Sequence, residues 1–198
     1  MGYLSDNQKT VEELVRVAKR TYALKHQMGN GGNMSVRIPG TDYMIVKGSN
    51  VGFCDMTPDA LVVTDFDGKV IEGGIRPSKE SLLHGEIYKK VPGAGAIMHT
   101  HAPWANAWGN RHDQLAFSTY HAAIKLKNYC PVFDAQDYVV PQDYFPVIMK
   151  AFEEHPDMIA FILRKHGPVA IGKDIVEATF NAELVEETAQ IALLSELR

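Results

Sequence analysis

Cysteine is scarce in this chain, with only Cys54 and Cys130 among 198 residues. Two cysteines without a Cys-x-x-Cys spacing exclude a disulfide-stapled scaffold and a cysteine-based zinc site. We expect both thiols to be reduced, as in cytoplasmic proteins, and to behave as small buried apolar side chains.

Long apolar runs and excess positive charge are also missing. No stretch approaches the roughly 20 apolar residues of a membrane-spanning helix, and the amino terminus shows no basic-then-apolar leader pattern. The net charge is −4, without the clustered basic patch that nucleic-acid binding requires. We therefore expect a cytoplasmic protein that binds neither nucleic acid nor membrane. With 45% apolar residues, the composition is typical of one globular domain over residues 1–198.

The pattern of apolar residues predicts helices and short strands in an irregular order. Helical spacing predicts helices over residues 5–28, 78–90, 142–154 and 175–197. Strand patterns and the turn at 66–68 predict strands over 34–38, 43–47, 61–65, 69–72, 95–101 and 158–163. This order favours an α/β protein with a mostly antiparallel or mixed sheet and helices packed on it. The irregular segment 109–138 is either an excursion of the core or part of a subunit contact.

Histidines occur at a spacing that suits a metal. His99 and His101 follow the apolar run 95–98, and residues two apart in a strand share a face. His166 follows a second apolar run. Three histidines leave one coordination position open, which is typical of a catalytic zinc site. Histidine pairs also occur in strands without a metal, so the residues alone leave both interpretations open.

Three short segments offer backbone N–H groups to an anion: the glycine- and asparagine-rich loop 29–33, the turn 47–50, and the helix start at Ser78 and Lys79. No Rossmann or Walker pattern is present, so a nucleotide is not implied. Ordinary turns use the same residues. Beside a candidate metal site, however, three such segments favour a phosphorylated or carboxylated small substrate.

Glu80 lies at the start of a predicted helix, and His84 lies one turn later. A carboxylate in a first helical turn is favoured by the helix dipole. On these grounds alone, Glu80 is a helix-terminal charge, and His84 packs or hydrogen-bonds locally. A metal-binding pair of the two is the less favoured interpretation.

Taken in order, these motifs resemble the class II aldolase/adducin family over about residues 10–195. The matching segments are 32–37, 57–63, 77–80 with His84, 99–101 and 165–168. The resemblance implies an α/β/α sandwich around a central, mainly antiparallel sheet. It also implies a homotetramer with its sites at subunit interfaces.

The resemblance assigns site residues as well. It implies Zn²⁺, or another divalent ion such as Mn²⁺ or Co²⁺, bound by His99, His101, His166 and Glu80. A substrate phosphate would be held by Gly32, Asn33, Gly48, Ser49, Ser78 and Lys79. Catalytic roles would fall to Glu80, as an acid/base beside the metal, and to Tyr120, as a proton donor in a neighbouring subunit's site.

The implied reaction is cleavage of a small ketose phosphate to dihydroxyacetone phosphate and an aldehyde through a metal-stabilised enediolate. The ion would act as a Lewis acid. Glu80 would move the proton at the carbon that becomes the enediolate, and Tyr120 would serve the departing aldehyde oxygen.

Other activities of the family remain alternatives. Lys79 stands where relatives have a small hydroxyl residue, so it suits a carboxylate as well as a phosphate. Sugar-acid phosphate decarboxylases and methylthioribulose-phosphate dehydratases share the three histidines and the glutamate. A ribulose-phosphate 4-epimerase is less favoured, because it uses an aspartate where Glu80 stands and a tail that we expect to be absent after Arg198. A non-enzymatic adducin-like scaffold is disfavoured because such domains need not keep the metal ligands.

Overall fold

A computed structural model describes residues 2–197. Its helices are α1 (Tyr3–Asp6), α2 (Gln8–Ala23), α3 (Ser81–Lys90), α4 (Pro103–Gly109), α5 (Tyr120–Lys125), α6 (Phe145–Glu154) and α7 (Ile175–Ser195). Its strands are β1 (Asn33–Arg37), β2 (Tyr43–Lys47), β3 (Leu61–Asp65), β4 (Val70–Glu72), β5 (Ala96–His99), β6 (Val132–Phe133), β7 (Ala160–Leu163) and β8 (Gly167–Gly172). Short 3₁₀ turns, Pro58–Ala60 and Gln142–Tyr144, precede β3 and α6.

The eight strands form one sheet in the order β4-β3-β2-β1-β5-β8-β7-β6. Neighbouring strands are antiparallel except for β6 and β7, which are parallel. This sheet confirms the predicted mixed α/β class with a mainly antiparallel sheet. The division into a single domain over residues 1–198 stays a prediction.

Helices cover both faces of the sheet because its central strands bury alternate residues on opposite sides. In β5, Met98 belongs to a core that includes residues of α2, α4 and α7, whereas Ile97 belongs to a second core with residues of α3 and α6. Each fully buried aliphatic side chain contributes about 1.5–3 kcal/mol. The two cores therefore fix the central strands, on whose ends the site described below depends.

Two predicted helices begin or end elsewhere because of backbone contacts. The first helix was predicted over 5–28, but the helix is interrupted at Asn7, and α2 ends at Ala23. Lys25 follows with a left-handed φ of 61°, which stops an α-helix. The helix predicted from Ser78 begins only at Ser81, since the Ser78 N–H donates to the carbonyl of Lys47.

The prediction that both cysteines are buried was wrong for Cys54. Cys130 is buried, but Cys54 is exposed and its thiol lies 3.3 Å from a carboxylate oxygen of Asp55. The adjacent Phe53 and nearby Met56 occupy the core instead.

Among residues 2–197, no helix has both the length and the apolar character needed to cross a membrane.

Candidate metal centre

Four side chains from four different elements meet at one end of the central strands. His99 is the last residue of β5, and the antiparallel register pairs it with Asn33, the first residue of β1. His166 lies in the turn between β7 and β8, and Glu80 immediately precedes α3. The sheet topology therefore assembles polar groups that are far apart in the sequence.

His99, His101 and His166 form a compact cluster, hereafter the histidine cluster. Their potential ligand nitrogens all lie within 4.8 Å of one another, and the Nε2 atoms of His99 and His166 are 3.2 Å apart. Nitrogens bound tetrahedrally to one Zn²⁺ at about 2.0 Å are roughly 3.3 Å apart. The histidine cluster therefore fits a divalent ion of this kind.

His101 joins the cluster from a backbone position that differs from the predicted one. The strand predicted over 95–101 ends at His99, so the two histidines do not share the face of one strand. Beyond the strand, the His101 N–H donates to Oε1 of Gln27 at 2.8 Å instead of to a neighbouring strand. The two rings nevertheless lie 5.1 Å apart between centroids.

Backbone carbonyls orient the histidines. His99 Nδ1 donates to the carbonyl oxygen of Pro168 at 3.0 Å, which leaves Nε2 with a lone pair directed at the cluster. The Asn106 side-chain amide donates to the carbonyl of His166 at 3.0 Å. The sequence analysis missed Gln27 and Asn106, because polar residues near a motif carry no spacing signal of their own.

Loss of water contact favours the neutral form of His99 and His101. The pKa of His99 lies well below its ordinary value, first because of burial and then because of His166 and His101. Burial, followed by His166 and Lys47, lowers the pKa of His101 to about 4. Neutral imidazoles carry the free lone pairs that metal binding requires.

Glu80 lies against this cluster with one oxygen unpaired. Its Oε2 accepts from the Asn33 amide at 2.9 Å and lies 3.4 Å from His99 Nε2. Its Oε1 is buried without a hydrogen-bond partner in the described chain and lies 3.7 Å from His166 Nδ1. Burial raises the pKa of Glu80, while His166 and Asn33 oppose this rise. Since buried polar atoms are normally paired, this orphaned oxygen beside the histidine cluster fits a site for a cation or a reacting proton.

His84 lies on α3, and its side chain forms a hydrogen bond with a residue of β1. Its Nδ1 is 2.8 Å from Ser35 Oγ, which is in turn 2.8 Å from the Tyr88 hydroxyl. Burial lowers the pKa of His84 to about 3. The prediction that His84 packs or hydrogen-bonds is confirmed, but its partner Ser35 lies 49 residues away in the sequence and is not local.

The glycine-rich loop 29–33 packs against the cluster. A Cβ at Gly31 would lie 2.6 Å from the His101 ring, and one at Gly32 would lie 2.9 Å from the carbonyl oxygen of His99. Gly32 also has a left-handed φ of 66°. Close approach of this loop to the histidines therefore requires glycine, and it places Asn33 beside Glu80.

The other two predicted anion-binding segments are joined by hydrogen bonds. The Ser78 N–H donates to the Lys47 carbonyl at 3.0 Å, and Gly48 forms an antiparallel bridge with Pro77. Ser49 Oγ donates to the Pro77 carbonyl at 2.7 Å. This pairing holds Gly48, Ser49 and Ser78 together next to Glu80. The Ser49 hydroxyl proton is therefore used in a hydrogen bond within the protein. Contact between that hydroxyl and a phosphate stays a prediction.

Lys79 contacts part of the irregular segment. Its Nζ lies 3.3 Å from the Tyr138 hydroxyl and 5.1 Å from the ring centroid. The backbone of Val140 also acts on Glu80 and lowers its pKa. Residues 138–140 therefore form one side of the site. This position was not predicted from the sequence.

Tyr120 does not join this site within one chain. It is the first residue of α5 and is 91% exposed. Among residues 2–197, no hydrogen bond or ring contact links it to the histidine cluster. The predicted role in a neighbouring subunit stays a prediction.

Gly167 supports the turn that carries His166, and its replacement gives a direct test of this packing. Its φ is +141°, and a Cβ there would lie only 2.0 Å from the Thr100 carbonyl oxygen. We expect Gly167→Ala to destabilise the protein by at least about 2 kcal/mol, because backbone would have to move. Chemical denaturation measures this loss. Gly93→Ala is the control, since nothing lies within 4 Å of its added Cβ, and equal stability of the two variants would contradict the expectation.

Comparisons with known proteins place the chain in a family. The model for the class II aldolase and adducin N-terminal domain matches residues 12–193. An L-fuculose phosphate aldolase of Methanocaldococcus jannaschii is 32% identical over 93% of this chain and 96% of the relative. An L-ribulose-5-phosphate 4-epimerase of Salmonella paratyphi C is 32% identical over 83% of this chain and 75% of the relative. The structure of an L-fuculose-1-phosphate aldolase from Thermus thermophilus superimposes with a TM-score of 0.84, at 26% identity and 96% coverage of both chains.

The chain belongs to the class II aldolase and adducin N-terminal domain family. Its relatives confirm the prediction of an enzyme, and the aldolases among them support a lyase. The family depends on divalent metal ions, and the histidine cluster could hold one in this chain.

Proposed function

We propose that the chain is a zinc-dependent aldolase that cleaves a small ketose phosphate to dihydroxyacetone phosphate and an aldehyde. The observation that carries this proposal is the buried, unpaired Glu80 oxygen 3.7 Å from His166 Nδ1. A candidate cation site and a candidate proton-transfer group thus lie together, beside loops suited to a phosphate. The aldolase names of several relatives support the same reaction class.

The chain's own residues account for the proton transfers of such a cleavage. A divalent ion held by His99, His101 and His166 would polarise the substrate oxygens as a Lewis acid. Glu80 would use Oε1 to return a proton to the carbon that has lost its bond to the aldehyde carbon. Its raised pKa allows it to hold that proton. Asn33 holds the other carboxylate oxygen at 2.9 Å and so fixes the direction in which Oε1 points.

The substrate's distal end would be held by the paired segments beside Glu80. The backbone near Gly32 and Gly48, with the side chains of Asn33, Ser78 and Lys79, would contact its phosphate. Such anchoring lowers the barrier by fixing the reacting carbons relative to Glu80. Ser49 would contribute only after its hydroxyl leaves the Pro77 carbonyl.

We also propose a homotetramer in the cytoplasm, with sites at subunit interfaces. Tyr120 is 91% exposed in one chain, which suits a role beside a neighbouring subunit. There its phenolate oxygen would accept the proton of the hydroxyl that becomes the aldehyde oxygen, and the resulting phenol would return that proton in the reverse reaction.

We expect Tyr120→Phe to retain its metal and to lose about 10²-fold in turnover, because only the phenolic oxygen that exchanges the proton is removed. Mixing this variant with inactive His101→Ala subunits separates a role across the interface from one within the chain. Random exchange of equal amounts would give about a quarter of the sites both an intact cluster and a partner tyrosine. Recovery of activity supports the proposal, whereas a mixture as inactive as its components would refute a role across the interface.

A cleavage screen tests the proposed reaction. Zinc-loaded protein is offered several ketose 1-phosphates and sugar-acid phosphates, and dihydroxyacetone phosphate is followed by coupled reduction. Its release from a ketose phosphate would establish the aldolase. Failure to release it from any ketose phosphate, with metal bound, would refute the aldolase and favour decarboxylation, dehydration or epimerisation.

Two of these alternatives have specific support. The 4-epimerase relative is as similar in identity, at 32%, as the aldolase of Methanocaldococcus jannaschii. Sugar-acid phosphate decarboxylation is favoured by Lys79, whose ammonium lies at the side of the site against Tyr138 and suits a carboxylate. Carbon dioxide release from a sugar-acid phosphate, or epimerised ribulose phosphate, would identify the respective reaction.

A further inference from the structure

Glu186 is a buried acidic residue in the middle of α7. It is only 3% exposed, and within residues 2–197 no lysine, arginine or histidine forms an ion pair with it. Its two carboxylate oxygens accept the backbone N–H groups of Trp104 and Ala105 at 3.0 and 2.7 Å. These N–H groups lie in the first turn of α4, where a helix offers them no partner of its own. The carboxylate therefore ties the beginning of α4 to α7.

The buried position of Glu186 is costly to stability. Burial raises the pKa of its carboxyl group, and the two N–H donors oppose this rise. Helix beginnings are usually satisfied at lower cost by the preceding residue, as in α7, where the Asp174 side chain accepts the Glu177 N–H at 2.9 Å. Ala102 precedes α4 and has no side-chain acceptor. The long-range contact from Glu186 takes the place of such a cap.

The helix that Glu186 holds connects two backbone segments of the histidine cluster. α4 begins two residues after His101. On the helix, the Asn106 side-chain amide donates to the carbonyl of His166 at 3.0 Å. Directly after the helix, the Asn110 side-chain oxygen accepts the Lys165 N–H at 3.2 Å. A shift of α4 would therefore displace the backbone that carries two of the three histidines.

We propose that Glu186 is a positioning residue for the metal centre: its carboxylate fixes α4 against α7, and α4 fixes the backbone of His101 and His166. This inference deepens the proposed function, because it rests on the histidine cluster as the metal-binding site. Within residues 2–197 no hydrogen bond or ion pair links Glu186 to the cluster itself, so its effect passes through α4. The competing interpretation is that Glu186 only caps α4 and stabilises the fold.

The zinc affinity of Glu186→Gln is the first test. Glutamine has nearly the same shape but only one acceptor oxygen, so its NH₂ group would face one of the two backbone N–H groups. Competition with a chelator measures the affinity of the variant beside that of the wild type. We expect the affinity to fall by about 10–100-fold, the usual effect of changing a group that orients metal ligands. With Co²⁺ bound, we expect the visible absorption spectrum to differ from that of the wild type, because it depends on ligand geometry.

Asp174→Ala is the matched control, because it removes a cap from the same helix that carries Glu186. We expect it to lower the melting temperature, as loss of a cap does, and to leave the zinc affinity and the Co²⁺ spectrum as in the wild type. A change in affinity or spectrum beyond that of Asp174→Ala supports the proposal. If Glu186→Gln loses only stability, Glu186 is merely a cap and the proposal is wrong. Wild-type protein that binds no zinc would refute the metal centre itself, and this inference with it.

Hydrogen exchange in wild-type protein decides the question if Glu186→Gln fails to fold. Coupling between two contacts is reciprocal, so bound zinc must strengthen the contact of Glu186 with α4 if that contact favours zinc binding. We expect zinc to slow exchange of the Trp104 and Ala105 amides about fivefold or more relative to the Glu177 amide, which bonds to Asp174. NMR with and without zinc measures these rates. Equal relative rates in the two states would overturn the proposal. Since no measurement depends on catalysis, a failed cleavage screen leaves this inference standing.

Discussion

His101→Ala should lose its tightly bound metal and with it almost all turnover. The substitution removes one of three imidazoles whose nitrogens lie within 4.8 Å of one another. Changes to groups that merely orient a metal ligand cost about 10–100-fold in affinity, so we expect loss of a ligand itself to exceed about 100-fold. Zinc content after dialysis and affinity by competition with a chelator measure this directly. Turnover measured with added zinc then shows whether excess metal rescues the reaction.

A histidine outside the site provides the control for this experiment. His155 stacks on the Tyr129 ring, with centroids 3.7 Å apart, and contacts no member of the histidine cluster. His155→Ala should retain its zinc and its turnover. If His101→Ala instead kept wild-type zinc content and activity, the assignment of the histidine cluster as the metal centre would be wrong.

The sheet was predictable where local patterns and tertiary structure agree. The strands around the turn at 66–68 and the strand before His99 combine β-branched or apolar runs with strong turn signals, and both are present. Helix ends were less predictable, because they depend on contacts to distant groups. The late start of α3 is one example, since Ser78 bonds to the carbonyl of Lys47 instead of entering the helix.

The site was predictable only in part, for a similar reason. The spacing of His99 and His101 is a local signal. However, His101 lies beyond the end of the strand and not within it as predicted. From the residues alone, Glu80 was interpreted as a helix-terminal charge. Only the family resemblance assigned it a chemical role. Gln27 and Tyr138 carried no local signal, since they meet His101 and Lys79 across 74 and 59 residues of sequence.

Lys47 is an example of a residue whose burial is visible only in the structure. In the sequence it belongs to an ordinary anion-friendly turn, and nothing distinguishes it from an exposed lysine. In the structure it is 2% exposed, and no carboxylate in the described range 2–197 forms an ion pair with it. Glu80 is likewise buried and has one unpaired oxygen. Such uncompensated buried groups are costly to stability and concentrate at functional sites, so the two support the candidate site independently of sequence motifs.

Glu80→Gln is expected to separate metal binding from proton transfer. Glutamine has nearly the same shape, and its amide oxygen can still accept from Asn33, which lies 2.9 Å from the carboxylate. The amide cannot exchange a proton with the substrate carbon. We expect zinc content to be retained through the three histidines and turnover to fall by about 10²–10⁴-fold, the usual contribution of a general acid or base.

Stability gives an independent check on this variant, because burial raises the pKa of Glu80 and so disfavours its ionised form. A neutral amide avoids that cost, and we expect a melting temperature equal to or above that of the wild type, as at other sites where function opposes stability. Glu86→Gln on the same helix is the control, since Glu86 is partly exposed and lies 3.9 Å from Lys89. It should leave both zinc content and turnover unchanged. Full turnover in Glu80→Gln would remove Glu80 from catalysis, whereas loss of zinc together with turnover would make it a necessary metal ligand, with the proton transfer assigned to another group.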